Sequence, residues 1–190
     1  VNETVNGIAP NEIRPALGII PMGTVNDLAR ALDIPLNPDE AIDMLKDAKE
    51  KEIDIGMVNE SYFTNVVSVG NIAKAVHEVE SEEKSRLGPL AYFIAGTKEV
   101  INSEDFLVKL KYENKLSELK ISLLAIGLSG ALAGFEDFLK EAKPDDGKLH
   151  VLAIKSLDLG KALKILPSAV TGNITESDEV IYFSADSINI

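Results

Sequence analysis

Cysteine and tryptophan are both missing from this 190-residue sequence, and aromatic residues make up only 5% of it. Without cysteine these residues form no disulfide and offer no thiolate to a metal ion, which favours a reducing cytoplasm as their compartment. The scarcity of aromatic side chains argues against a platform on which nucleic-acid bases could stack. The missing residue types therefore exclude a disulfide scaffold and a thiolate metal centre.

Long apolar runs and an excess of basic residues are lacking as well. The run from Ile121 to Leu128 is interrupted by Ser122 and Gly127 and is far too short to span a bilayer. Lysine and arginine total 19 against 31 aspartate and glutamate residues, which gives a formal net charge of −12. Because an acidic surface repels phosphate backbones, we expect no nucleic-acid partner.

The sequence has the composition of a globular protein, with 45% hydrophobic and 26% charged residues. Val1–Ile8 looks like a helical turn without a start signal, and Ser187–Ile190 stops within a strand-like run. We interpret both ends as cut, because a domain seldom ends inside a strand.

The first 50 or so residues predict part of an α/β layer. Leu17–Ile20 is a short apolar run typical of a strand buried on both faces, and a helix is expected from about Val25 to Leu32. Asn37 followed by Pro38 starts a second helix, expected to end near Glu50.

From Ile53 onward the pattern changes to mostly antiparallel β structure. Helices are expected at Gly88–Val100 and Leu159–Val170. Strands are expected at Asp54–Val58, Tyr62–Val67, Phe106–Tyr112, Leu119–Leu128, Lys148–Ile154 and Val180–Phe183. This change of pattern divides the chain into residues 1–52 and residues 53–190, and the length fits either one large domain or two small ones.

Gly23–Asp27 is the first candidate functional motif. Glycine permits close approach of the backbone to a ligand, and N–H groups at a helix start attract phosphate. The same spacing also fits a capping box, in which Thr24 is the N-cap and the Asp27 side chain, three residues later, bonds back to the Thr24 N–H. On spacing alone the capping interpretation is favoured.

Lys143–Leu149 is the second motif, with adjacent carboxylates at Asp145 and Asp146 followed by Gly147. Oxygen ligands at a tight bend suit Mg²⁺, whereas an ordinary acidic turn explains the same residues and is favoured without further information. Asp54 beside Gly56 is a weaker signal. His77 and His150 are isolated and are interpreted as ordinary surface or core histidines.

Together these segments resemble the diacylglycerol kinase catalytic family, most closely the soluble kinases of Gram-positive bacteria. Pro21-x-Gly23-Thr24-x-Asn26-Asp27-x-Ala29-Arg30 is the specific motif, and the resemblance extends over essentially the whole chain. Supporting segments are Val1-Asn2-Glu3-x-x-Asn6-Gly7, Asp54-x-Gly56-x-x-Asn59, Phe63-x-Asn65, Gly70, Ala133–Phe135 and Asp145–Gly147.

The resemblance implies an α/β plus β-rich fold. An α/β nucleotide domain like that of NAD kinases and phosphofructokinases precedes an antiparallel β-sandwich-like domain. It implies transfer of the γ-phosphoryl group of ATP, with Mg²⁺, to the hydroxyl of diacylglycerol. A kinase for another lipid alcohol (a sphingoid base, phosphatidylglycerol or undecaprenol) and a non-catalytic lipid- or nucleotide-binding module are the alternatives.

Residue roles also follow from the resemblance. Those expected to bind the nucleotide are Asn2, Thr24 and Asp27; the Mg²⁺ ligands are the backbone carbonyls of Lys143 and Lys148 and the carboxylate of Asp146. Asp145 would point toward Asp54 in a water and metal network at the catalytic cleft. The general-base glutamate is expected beyond Ile190, so we expect the 190-residue chain alone to be inactive.

The expected partner is diacylglycerol or a related lipid, met peripherally at a membrane surface by a cytoplasmic protein. Family analogy suggests a homodimer.

Overall fold

The fold described here is that of a computed structural model of the chain. It describes residues 1–70, 105–132, 134–156 and 159–190. The predicted helix at Gly88–Val100 and the isolated His77 lie outside these residues.

Three short helices make up the first part of the chain: α1 (Asn2–Ile8), α2 (Asp27–Ala31) and α3 (Pro38–Met44). Helix α3 starts where predicted, because the Asn37 side chain accepts hydrogen bonds from the backbone N–H groups of Asp39 and Glu40. It ends well before the predicted Glu50. A helix gains most of its stability from packing, and the apolar side chains that follow Ala41 are largely exposed.

The predicted strand at Leu17–Ile20 is wrong, since these residues form no strand in the structure. A strand needs a neighbour for its N–H and C=O groups, and among the described residues the only strands of this part, at 56–63, pair with each other. Helix α2 also begins later than predicted, at Asp27 instead of Val25. The surrounding segment exposes several large apolar side chains: Ile13, Leu17, Ile20 and Met22.

A two-stranded hairpin links the first part to the second. Strand β1 (Gly56–Val58) pairs antiparallel with β2 (Ser61–Phe63). The Asn6 side chain on α1 clamps β2, accepting from the Tyr62 N–H at 2.8 Å and donating to the Tyr62 carbonyl at 2.7 Å. The Asn6 side-chain amide thus forms the two hydrogen bonds, to the N–H and the C=O of Tyr62, that a neighbouring strand would otherwise provide.

The second part is mostly antiparallel β structure, as the sequence predicts, and its described residues form a five-stranded sheet. Its strands are β3 (Val66–Gly70), β4 (Phe106–Tyr112), β5 (Lys115–Gly127), β6 (Leu149–Lys155) and β7 (Val180–Ala185). The predicted single strand Tyr62–Val67 is wrong, because it is broken at 64–65 and its halves belong to different sheets.

The long strand β5 organises this sheet. Its first half pairs with β4, its second half pairs with β3, and β6 and then β7 follow on its other side. After β7 the chain returns to β4, where Lys111 and Asn189 exchange backbone hydrogen bonds of 2.9 and 2.8 Å. The sheet is therefore curled so that its last segment meets β4.

Each face of the sheet covers a hydrophobic cluster. The first contains Leu110, Ile121, Leu124 and Val151 and lies where Tyr112 stacks on Phe183. The second lies under helix α4 (Leu159–Val170, as predicted) and the 3₁₀ turn Ile174–Glu176 and contains Phe138, Leu152, Ile165 and Ile174. None of the helices in the described part of the chain combines the length and apolarity needed to cross a bilayer.

Candidate active site

Asp146 is the centre of the acidic loop that leads into β6. Its Oδ1 accepts a hydrogen bond from the Lys148 N–H at 2.9 Å. Its Oδ2 accepts from the Lys143 N–H at 3.1 Å and lies 2.9 Å from Nε2 of His150. The Asp146 carboxylate thus binds the loop backbone on both sides of itself, at Lys143 and Lys148, and also binds His150 on β6.

The hydrogen bonds also fix the charge of Asp146. Partial burial disfavours the charged form, but bonds from Lys143, His150 and Lys148 outweigh it and lower the pKa below the ordinary 3.8. The carboxylate is therefore an anion at neutral pH. Because its pKa is lower in the folded state, the stability it adds is present above the unfolded-state pKa and is lost as pH falls through the folded-state pKa.

Asp54 fastens the first part of the chain to this loop. Its Oδ2 accepts from the Gly147 N–H at 2.7 Å, and its own N–H donates to the Pro144 carbonyl at 2.7 Å. The neighbouring Asp145 carboxylate lies 3.4 Å from Nζ of Lys51. Two contacts thus connect this loop to the segment around Asp54. Asp54 binds the loop backbone, and the loop residue Asp145 pairs with Lys51.

Gly147 must be a glycine for conformational reasons, since its φ is +71° and a Cβ there would meet no atom within 4 Å. We expect Gly147→Ala to lower the free energy of unfolding by about 1 kcal/mol, the cost of a left-handed residue with a side chain. Gly7→Ala in α1 is the control, because its Cβ would also meet nothing but its φ is not positive. It should leave stability unchanged or raise it slightly. Urea unfolding compares the two, and equal effects would contradict this explanation.

The loop has a donor set that fits a hard divalent cation. Oδ2 of Asp146 already accepts two hydrogen bonds and Oδ1 accepts one, which leaves a lone pair of Oδ1 for an ion. In residues 1–70, 105–132, 134–156 and 159–190, no group of three or more His, Cys, Asp or Glu side chains could hold a metal. An ion at this loop would therefore take one carboxylate, and the other ligands would be backbone carbonyls, with those of Lys143 and Lys148 implied by the family resemblance, and water.

The Lys148 side chain does not oppose such an ion. Its Nζ lies 2.5 Å from Oδ1 of Asp186, and this hydrogen bond and attraction raise the pKa of Lys148. The ammonium group is therefore paired with Asp186, while the Lys148 backbone belongs to the loop.

The Gly23–Asp27 motif has a different geometry from the predicted capping box, which is therefore wrong. Asn26 stands at the N-cap of α2 with φ of 58°, and its side chain accepts from the Gly23 N–H and donates to the Gly23 carbonyl, both at 2.9 Å. Thr24 is exposed and Asp27 is the first helical residue. A tight turn closed by Asn26 thus leaves the Thr24 side chain accessible.

Asp27 joins this motif to the second part of the chain. Its Oδ1 accepts from the Gly134 N–H at 2.7 Å. Arg30, on the same helix, lies 3.2 Å from the Glu136 carboxylate. The first part of the chain therefore holds the second through two aspartates, Asp27 and Asp54, each bound to a glycine N–H. Asn2, the first residue of α1, is exposed and its carbonyl accepts from the Asn6 side chain.

Sequence reasoning missed two of these contributions. The motif that contains Asn6 does not indicate a role for this residue, and His150 looks isolated in the sequence. In the structure His150 is only 3% exposed and contacts both Asp146 and Tyr182. The spacing of four residues between Asp146 and His150 indicates that these two side chains could meet. No such spacing indicates the contact with Tyr182, which lies on a different strand.

Two family models match the chain. One is described as the diacylglycerol kinase catalytic domain and matches residues 1–58. The other is described as the YegS C-terminal NAD kinase beta sandwich-like domain and matches residues 65–190.

Similar proteins and structures agree with these matches. The chain is 38% identical over its whole length to a diacylglycerol kinase of Staphylococcus epidermidis and 36% identical to one of Staphylococcus aureus. A crystal structure of a putative diacylglycerol kinase from Bacillus anthracis superimposes with a TM-score of 0.81 and 30% identity, covering 98% of this chain and 62% of that one. The chain spans 60% of the length of both staphylococcal relatives.

Proposed function

The chain belongs to the diacylglycerol kinase family, and from this premise we propose that the protein transfers the γ-phosphoryl group of ATP to the hydroxyl of diacylglycerol. The observation that most supports this is the acidic loop at 143–150. It presents an anionic Asp146 whose Oδ1 accepts one hydrogen bond in the described residues, and it is fastened to the first part of the chain by Asp54. Phosphoryl transfer depends chiefly on positioning and on neutralising charge, which such a loop can serve.

In the proposed reaction the lipid hydroxyl oxygen forms a bond to the γ-phosphorus of ATP. The bond from that phosphorus to the β–γ bridging oxygen breaks, ADP leaves, and the hydroxyl proton passes to a base. Mg²⁺, when bound, neutralises charge on the phosphates. The residues of this chain hold the loop and its charge in place through Asp54, Asp145 and Asp146.

We propose that the nucleotide is bound by the first part of the chain, at Asn2, Thr24 and Asp27. Thr24 is exposed beside a tight turn, as a residue contacting phosphate would be. Asp27 is proposed to act mainly through Gly134, because its Oδ1 already accepts that N–H. In this proposal residues 1–52 supply the nucleotide side and residues 53–190 the acceptor side.

The proposed lipid partner is diacylglycerol, met at a membrane surface. In an otherwise acidic sequence, the second part of the chain has a local density of lysines that we propose meets the lipid surface: Lys109, Lys111, Lys155, Lys161 and Lys164. Three of them also have partners within the protein: Lys109 with Glu118, Lys155 with the Asp178 carbonyl and Lys161 with Glu179. Liposome sedimentation tests this encounter: charge reversal at these lysines should weaken binding to anionic vesicles, and unchanged sedimentation would contradict it.

A substrate panel tests the proposed acceptor. Full-length protein is incubated with labelled ATP, Mg²⁺ and micelles of diacylglycerol, a sphingoid base, phosphatidylglycerol or undecaprenol. We expect labelled phosphatidic acid to be the main product. Preference for another lipid would replace diacylglycerol with that alcohol, and the absence of product from every lipid would favour a binding module.

A further inference from the structure

His150 is buried at the start of β6, directly beneath the acidic loop. Its ring uses both nitrogens: Nε2 lies 2.9 Å from Oδ2 of Asp146, and Nδ1 lies 2.6 Å from the hydroxyl of Tyr182. Tyr182 is on the neighbouring strand β7, opposite Leu152, so it reaches His150 diagonally across the ladder. The His150 and Tyr182 rings are 6.0 Å apart and nearly parallel, inclined by 17°.

The roles of the three groups follow from which of them can donate. A carboxylate that binds a cation can only accept hydrogen bonds, so Nε2 of His150 is the donor to Oδ2 of Asp146. Burial, with Glu141 and Asp146 nearby, raises the pKa of Tyr182 to about 12, so its hydroxyl keeps its proton at neutral pH. The Tyr182 hydroxyl can then donate to Nδ1 of His150, so that the hydrogen bonds run from Tyr182 through His150 to Asp146.

This chain of hydrogen bonds determines which oxygen of Asp146 remains accessible. Oδ2 accepts from His150 and from the Lys143 N–H, whereas Oδ1 accepts from the Lys148 N–H alone among the residues that the structure describes. Without the histidine contact, Oδ2 would be held only by the longer hydrogen bond from the Lys143 N–H, so the carboxylate would be less firmly oriented. A buried partner behind a ligating carboxylate typically changes metal affinity 10- to 100-fold.

We propose that His150, itself oriented by Tyr182, is a positioning residue that locks the Asp146 carboxylate with Oδ1 directed toward a divalent cation. The inference rests on the proposed function, since it presumes that the loop at 143–150 holds that ion. It adds two residues, on β6 and β7, that sequence resemblance did not single out.

Cation affinity provides a test that is independent of turnover. Mn²⁺, used as a paramagnetic stand-in for Mg²⁺, is titrated into full-length protein and followed by electron paramagnetic resonance. We expect His150→Leu to weaken binding at this site about 10- to 100-fold. His150→Gln, which keeps a donor for Asp146, should recover much of the loss, and Tyr182→Phe should weaken binding by a smaller factor.

Tyr112→Phe is the matched control for Tyr182→Phe. Both tyrosines are partly buried in the same sheet and both substitutions delete one hydroxyl, but Tyr112 stacks on Phe183 and belongs to the opposite hydrophobic cluster. The Mn²⁺ affinity of the Tyr112→Phe variant should equal that of the unchanged protein. Equal affinities for Tyr112→Phe and Tyr182→Phe, or no recovery by His150→Gln, would overturn the positioning role.

Asp146→Asn separates this inference from the proposed function. If Asp146→Asn weakens Mn²⁺ binding and the His150 and Tyr182 variants do not, the metal site stands and the positioning role fails. If Asp146→Asn leaves Mn²⁺ binding unchanged, the metal site fails and the positioning role fails with it. Urea unfolding of Tyr182→Phe and Tyr112→Phe ensures that loss of fold is not mistaken for loss of binding.

Discussion

Replacing Asp146 by alanine should reduce phosphatidic acid formation by the full-length protein about 100-fold or more while nucleotide binding is retained. The substitution removes the anion to which Mg²⁺ would bind and leaves the N–H groups of Lys143 and Lys148 without their acceptor. Removing a partner that only supports a metal ligand already costs 10- to 100-fold, so losing the ligand should cost at least the upper value. The rate is measured with labelled ATP, and nucleotide affinity is measured separately by calorimetry.

Asp43→Ala is the control for this experiment. Asp43 is an exposed aspartate on α3, and within the described part of the chain its side chain has one ion pair, to Lys46, and none to the loop at 143–150. Its substitution should leave the rate within about twofold, since exposed ion pairs contribute little. A full rate in Asp146→Ala would remove the loop at 143–150 from the proposed reaction while leaving the kinase assignment intact.

Gly56→Ala is expected to lower the free energy of unfolding by about 1–3 kcal/mol, the usual cost of overpacking. Gly56 lies opposite Phe63 in the hairpin, and a Cβ at Gly56 would stand only 2.2 Å from two atoms of that buried ring. The ring or the strand must move. Because Asp54 is two residues away and holds Gly147, we also expect lower activity, with stability measured by urea unfolding.

A double substitution tests the cause of this loss. Phe63→Leu removes the ring atoms that the new methyl group would meet, so Gly56→Ala should be less costly in that background than in the unchanged protein. Equal costs in the two backgrounds would show that the ring is not responsible. The loss of stability in Gly56→Ala would then have a cause other than the Phe63 ring.

The sequence was most informative where local pattern alone determines structure. Alternation over Phe106–Tyr112 predicted β4 correctly, because one face of that strand is buried and the other is exposed. Asn37 with Pro38 predicted the start of α3 correctly, because the cap is formed entirely by neighbouring residues. Helix α4 was predicted correctly as well.

Local pattern was misleading where the outcome depends on distant residues. Leu17–Ile20 has the composition of a buried strand, but among the described residues no strand lies beside it. The capping box at Thr24 failed because Asn26 adopts a left-handed conformation and bonds to Gly23 instead.

The candidate site was only partly predictable for the same reason. Asp146, Asp54 and Asp27 were identified by resemblance, but their partners could not be read from spacing. Gly147 lies 93 residues from Asp54 in the sequence, and Gly134 lies 107 residues from Asp27. His150 and Tyr182 meet only because β6 and β7 are adjacent in the sheet, so neither appeared significant alone.

Anomalous diffraction from crystals of the full-length protein soaked in Mn²⁺ is the most direct test of the claim that the acidic loop holds the cation of a lipid kinase. We predict an anomalous peak beside Oδ1 of Asp146, within reach of the Lys143 and Lys148 carbonyls. The peak should be absent in Asp146→Asn crystals soaked in the same way. Mn²⁺ bound elsewhere in the protein, with no peak at this loop, would contradict the account.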